Sequence, residues 1–534
     1  MVAQGKQHLV HSHAHEEGIP GTVNLKAAEG DDTGYGQALF PVPAEDPNDP
    51  LQWSQFKKTM ILMICSFYSF LANAALIGPS PYINTWAAEF GITPTEASQL
   101  ISYPNLAFGF GSLIFVPLYL KFGRRPVMLV SLTIFCAGEI GASQCTTYNG
   151  LLASRVIAGF GSCVCEALPV QLVNDIFFLH ERGEKIGYYT VCLCFGTFGS
   201  LPAGYILAAG YGWQLFFYIV FAFGIALLIM AFIFVEETSY DRKTSMAMST
   251  PESMDDEKGD ESQVEAPAMS TLIPQRKSFF ATLNPRGRYN PDVPFFTMMV
   301  RSFTYFLVPQ VFWVVASYGI NIGLLALGFS YTFPIFITSP PYNWSVINSG
   351  LIAIAALIGY ALAVPFTSSS DRLAAYLTKH NGGIREAEMR LGVMLPAMLI
   401  GPAGTVIYGI TAQKGLHWVL YFVGGGLSYW GAYFYFTFTL AYAVDSYNSN
   451  TSEMLIAMNI GKQAISFGFG LKVLTWVTES GYAVIISGVF GGVLLANNLA
   501  LIVFMLWGKR IRSFMATTWL ARMHSTSIRE IATH

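Results

Sequence analysis

Apolar runs of about twenty residues recur along most of this 534-residue chain. A helix of that length crosses the hydrocarbon core of a bilayer. That core offers no water to backbone polar groups, so such runs must be helical. They fall at 57–80, 97–119, 126–145, 150–172, 184–209 and 213–236, then at 308–337, 344–368, 390–411, 416–441, 453–477 and 482–507. Charged residues make up 12% of the chain, about half the share usual in soluble proteins. The expected fold is an all-α polytopic membrane protein with twelve spans in two six-helix halves, not a large soluble α-protein.

The polar stretches divide the chain further. Residues 1–56 read as a disordered cytoplasmic tail, 57–237 as the first half and 238–294 as an acidic disordered linker. Residues 295–507 form the second half, and 508–534 a short cytoplasmic tail. Lysine and arginine crowd one set of loops, from Lys57 through Arg124, Arg182, Arg372 and Arg385 to Arg512, whereas the opposite loops hold only Lys414. Basic loops stay on the cytoplasmic side, so both termini are expected there. No cleavable signal peptide is apparent, and the first run is read as a signal anchor. Asn343-Trp344-Ser345 is a glycosylation sequon on the predicted outer side, tight against a span; Asn450-Thr451-Ser452 would face the cytosol.

Several partners are disfavoured by composition. A net charge of −3 without a long basic run argues against nucleic acid. The seven cysteines lie mostly inside apolar runs, without metal-ligand spacing. The histidine stretch at His11 to His15 reads as tail rather than metal site. No nucleotide-binding segment is visible. The expectation is therefore no cofactor and no metal, with a proton gradient as energy source, a small-molecule substrate, a surrounding lipid bilayer and a monomeric state.

Charge inside the apolar runs is costly and marks function or a pinning network. In the fourth run Arg155, Gly159, Ser162 and Glu166 share one helical face at 100° per residue. Glu166 is the lead proton-carrying candidate, with Arg155 nearby setting its acidity and Glu139 in the third run as a second site. Asn73, Asn321 and Lys462 are embedded polar groups, and Trp430 and Tyr433 share a face in an aromatic stretch. These five are the candidate substrate contacts. Ion-pair pinning and ordinary packing are the plain alternatives for each.

The loop after the second run reads Lys121-Phe122-Gly123-Arg124-Arg125-Pro126. Paired arginines where two helices meet the cytosol can lock that face or simply anchor it. Here the chain resembles the major facilitator superfamily, whose loop has the form G-x3-D-R-x-G-R-R. Gly123, Arg124 and Arg125 match, and Lys121 stands for the first arginine. Leu120 replaces the acid and Val116 the leading glycine, whereas the second half keeps Asp371-Arg372.

Arg155-x3-Gly159-x-Gly161 resembles the family's fourth-helix motif, which implies proton coupling. Gly187, Gly196 and Gly204 fall in register with its antiporter motif, with the proline displaced to Pro202 and departures at Ser200, Leu201 and Tyr205. Segments 20–25, 46–54, 236–240 and 385–391 resemble fungal twelve-span drug:proton antiporter-type carriers, close to histidinol and polyamine permeases. The resemblance implies a proton-coupled carrier, not an enzyme, in the plasma or vacuolar membrane. Export of a small organic molecule is the leading expectation. Uptake of polyamines or related cations is the alternative, and a non-transporting sensor the third reading.

Overall fold

The computed structural model describes residues 15–16, 21–24, 46–240, 278, 282–284, 287, 289–291, 293–446 and 451–525. The histidine stretch before residue 15, the acidic core of the linker and the end of the C-terminal tail lie outside the described residues.

Among the described residues ten helices are long and apolar enough to cross a membrane. Six come from the first half, at Gln55–Phe90, Pro94–Phe122, Arg124–Gln144, Tyr148–Ile176, Glu181–Ala208 and Gln214–Phe234. Four come from the second, at Pro309–Ile337, Val346–His380, Ala387–Lys414 and Ala483–Ala516. The helical segments 419–446 and Thr451–Ser480 complete the expected twelve. Both have membrane length, but the first is rich in tyrosine and glycine and the second carries Asn459, Lys462, Gln463 and Lys472, as helices facing protein rather than lipid are free to do.

Local chemistry sets the ends. Thr93 and Glu96 form a reciprocal capping box that opens the second span. Gly123 closes it with φ of +98°, a left-handed conformation that β-carbons disfavour. A carboxylate of Glu237 and the backbone of Gly287 press against that glycine.

Prolines interrupt the helical ladder, and side chains from other spans take the carbonyls they free. A proline cannot donate to the carbonyl four residues earlier. Pro169 thus leaves the Cys165 carbonyl, which accepts from Ser69 Oγ at 2.5 Å. Pro402 leaves the Met398 carbonyl, which accepts from Asn498 Nδ2 at 3.3 Å. The fourth span is itself broken at Cys163, into Tyr148–Ser162 and Val164–Ile176.

On the basic face the spans end in ion pairs. Arg124 Nε meets Asp175 at 3.1 Å, while the backbone amides of Arg124 and Arg125 donate to Glu237 at 3.0 and 3.2 Å. The acid missing at Leu120 is thus supplied by the fourth span and by the chain beyond the sixth. In the second half Arg390 holds Asp445 at 2.5 Å and Asp371 at 3.4 Å, and Arg385 approaches both at 3.8 Å. Arg372, paired with Asp371 in the sequence motif, is exposed.

The N-terminal tail departs from the expectation of disorder. Thr22–Asn24 pairs antiparallel with Ile384–Glu386, and His15–Glu16 pairs with Thr22–Asn24, making a small sheet on an otherwise helical protein. Thr22 Oγ1 donates to Glu386 at 2.8 Å beside Arg512, which pairs with Glu386 at 2.9 Å and Glu388 at 2.5 Å. Burial works against charge on Glu386, but donors from Lys509, Thr22 and Arg512 hold its carboxyl below the usual range. The described ends of the linker are also docked, since Arg125 donates to the Leu283 carbonyl at 3.2 Å and Asn290 N to the Lys121 carbonyl at 2.8 Å.

Candidate central cavity

The break at Cys163 turns the second segment of the fourth span so that Glu166 faces the seam between the halves. A narrow cavity of about 50 Å³ lies there. The first half contributes Asn73, Asn105, Phe108, Glu166 and Thr197, and the second Tyr318, Tyr360, Phe436 and Gln463. Most of the remaining lining is apolar, as in small-molecule sites generally.

Glu166 pairs with Lys462, joining the fourth span of one half to the eleventh of the other. Their side chains are 10% and 4% exposed. The Lys462 ammonium lies 5.4 Å from the Tyr318 ring centroid and 6.0 Å from that of Phe108, both cavity walls. Aromatic faces attract such a cation and offset part of its desolvation. Removing one partner of a buried pair leaves an uncompensated charge, at about 3–5 kcal/mol, whereas replacing both is close to neutral. Asn73 donates its amide to the Leu193 carbonyl at 2.7 Å, and Asn105 to Ile101 at 3.0 Å.

Of the five expected contacts Asn73 lines the cavity, Lys462 meets it through Glu166, and three lie elsewhere. Asn321 donates back to the Ser317 carbonyl at 2.7 Å and is not a lining residue. Tyr433 hydrogen-bonds Thr367 at 2.7 Å, and Trp430 packs on Phe434 at 4.6 Å between ring centroids. The reason is helical register. Wide π-helical turns at Asn321–Leu327 and Tyr435–Thr439 shift each span, so that Tyr318, Ile322 and Phe436 face the cavity instead. An α-helical periodicity cannot anticipate that shift.

Arg155 does not contact Glu166. Its Nε donates to the Leu100 carbonyl at 2.5 Å, the group Pro104 cannot bond. Its terminal nitrogens donate to Leu76 at 2.9 Å and to Ala75 at 3.4 Å, beside Pro79. It therefore staples the first, second and fourth spans. Glu139 shares a separate, smaller pocket with Arg155, and its Oε2 has no hydrogen-bond partner among the described residues.

The fifth span carries the glycine series and touches the second half on both sides of the cavity. Toward the basic face, a β-carbon on Gly183 would overlap the Asp371 carboxylate, and one on Gly187 would overlap Thr367. Gly196 packs on Asn73 of the first span. Toward the opposite face Ser200 Oγ lies 3.4 Å from the Gly350 carbonyl, and a β-carbon on Gly204 would stand 2.9 Å from that of Ile347. Pro202 is exposed on the outer side of this helix, away from the cavity. Lys121 lies 5.9 Å from the ring of Tyr289. Asn343 is exposed in the turn between Ile337 and Val346.

Sequence reasoning found Asn73, Glu166 and Lys462 as charged or amide groups inside apolar runs. It did not single out Thr197, Tyr318, Tyr360 or Gln463. Gln463, adjoining Lys462 in the same run, was the available signal.

The family model described as the Major Facilitator Superfamily matches residues 62–471. The chain belongs to the major facilitator superfamily. Among relatives of this carrier, Protein HOL1 of Saccharomyces cerevisiae is 24% identical over 546 residues, spanning 88% of this chain and 91% of HOL1. The probable efflux pump mfs2 of Aspergillus flavus is 25% identical over 410 residues, covering 76% of this chain and 91% of its own. The proton:xylose symporter XylE bound to 6-bromo-6-deoxy-D-glucose superposes with a TM-score of 0.56 at 12% identity, covering 85% of this chain and 97% of its own. That likeness concerns the fold alone. This is a membrane transporter, not an enzyme, of the facilitator fold.

The ion pair makes a direct prediction. Glu166→Gln and Lys462→Met should each destabilise the purified protein by about 3 kcal/mol, and the double variant by much less than their sum. Additive losses in thermal unfolding would show that the pair is not coupled.

Proposed function

We propose that this facilitator exports a small organic molecule in exchange for protons, with Glu166 as the proton carrier. The observation that carries the reading is the Glu166–Lys462 pair, shared between the halves, whose acid lines the central cavity. A carboxylate there is charged while it holds Lys462 and neutral when a proton replaces that contact. Proton binding therefore opens a link that otherwise ties the halves. Lys462 comes from the eleventh span, and Tyr189 of the fifth donates to the Glu166 backbone carbonyl at 3.3 Å. Tyr318, Tyr360 and Gln463 are the second half's polar groups on the same cavity. Among the described residues no other acid lines it, so Glu139 would at most relay protons from its separate pocket.

Alternate opening would part the fifth-span contacts in turn, Gly183 with Asp371 and Gly187 with Thr367 on one side, Ser200 with Gly350 on the other. The Arg124–Asp175 and Arg390–Asp371 clusters would steady the basic face as a gate. Export is favoured by the antiporter-like glycine series and by similarity to a probable efflux pump. The resemblance to polyamine-type permeases favours uptake of organic cations as the second reading, but the lysine opposite Glu166 weighs against it. By the distribution of lysine and arginine, the basic face and both termini are cytoplasmic. The 238–294 segment would be the cytoplasmic tether, and one chain, which encloses the whole cavity, the working unit.

Glu166→Gln should abolish transport driven by a pH gradient in proteoliposomes; transport with unchanged pH dependence would make Glu166 a structural acid. A cysteine placed at 340 should react with an impermeant reagent on intact cells and one at 260 should not, and the reverse would invert the topology. A deletion strain should become hypersensitive to toxic organic compounds with normal polyamine uptake. Lost polyamine uptake without hypersensitivity would install the second reading.

A further inference from the structure

Resting on the reading of the central cavity as the cargo site, we infer that its substrates are zwitterions, molecules of no net charge that carry both a basic nitrogen and an acidic group. Among the described residues Glu166 is the one charged side chain lining the cavity, and its buried partner Lys462 lies beside it, against the lining rings of Phe108 and Tyr318. A cargo that enters between them must leave neither charge stranded. A monocation satisfies Glu166 but leaves Lys462 facing it without a counter-ion. A monoanion does the reverse. An uncharged molecule leaves the pair closed and gains only apolar contact. A zwitterion replaces both halves of the pair, its basic nitrogen at Glu166 and its acidic group at Lys462, and so keeps every charge compensated.

The rest of the lining fits the same class. The rings of Phe108 and Tyr318 flank the ammonium of Lys462 and would flank a cargo nitrogen equally well. Asn73, Asn105 and Gln463 offer amides that serve donors and acceptors alike. Phe436, Ile322 and Leu76 provide apolar wall for an aromatic or aliphatic body. Proton exchange is compatible with this preference, because protonating Glu166 removes one of the cargo's two anchors.

The test uses four probes with one phenyl body and different charge: phenylalanine, 2-phenylethylamine, 3-phenylpropionate and 3-phenylpropanol. Each is added at millimolar concentration and neutral pH to the purified full chain in detergent, and the shift in unfolding midpoint is read. Phenylalanine should stabilise the wild type at least twofold more than either ion. Lys462→Met should move the largest shift to the amine and Glu166→Gln to the carboxylate. The double variant, Glu166→Gln with Lys462→Met, should favour the alcohol. Should the single variants fail to fold, the wild type and the double variant still decide the matter. An amine or carboxylate ranked first by the wild type would overturn the inference. So would one rank order shared by all the proteins, or no shift with any probe. A correct ranking without pH-driven transport would sink the proton-exchange reading and leave this one standing; the converse result would do the opposite.

Discussion

Inside a bilayer every polar group must find its partner within the protein, and most of this structure follows from that rule. Prolines within spans create carbonyls with no donor of their own. Ser69, Arg155 and Asn498 reach across from other spans to supply one. The bends that result are therefore fixed by cross-links rather than left loose. Arg155 shows the rule at its strongest. A charge that looks placed in sequence to set the acidity of Glu166 is instead spread over carbonyls of two other spans, beside Pro79 and Pro104.

The same rule separates the two buried acids of the first half. Glu139 lies behind the fourth span with Arg155, away from the seam, whereas Glu166 meets a cation from the other half. Only the second arrangement ties the two halves together through a carboxylate. The glycines of the fifth span add a geometric condition. They let that helix approach the eighth closely on both sides of the cavity, so each contact is available to form or part without remodelling side chains.

Outside the membrane the constraint relaxes and ion pairs take over. Asp175 and Glu237 supply the carboxylates that the loop motif lacks at Leu120, which shows that an electrostatic role can survive the loss of its usual residue. The N-terminal strand is held by the same means, through Glu386 and Arg512, so a segment far from the second half in sequence becomes part of its surface.

The sequence alone determined the number and order of the spans, because apolar length is a one-dimensional property that the bilayer reads directly. It also exposed Glu166, Lys462 and Asn73, since polar groups in such runs stand out wherever they point. Tertiary structure decided what those groups do. The pairing of Glu166 with Lys462 depends on how two halves dock, across nearly three hundred residues of chain. The turning away of Asn321, Trp430 and Tyr433 depends on π-helical turns that change register without changing composition. The strand at Thr22–Asn24 is too short to carry a periodic signal, and it exists only because Ile384–Glu386 offers an edge to pair with. Span identity is local and additive along the chain, whereas a site between halves is made of contacts that no local pattern encodes.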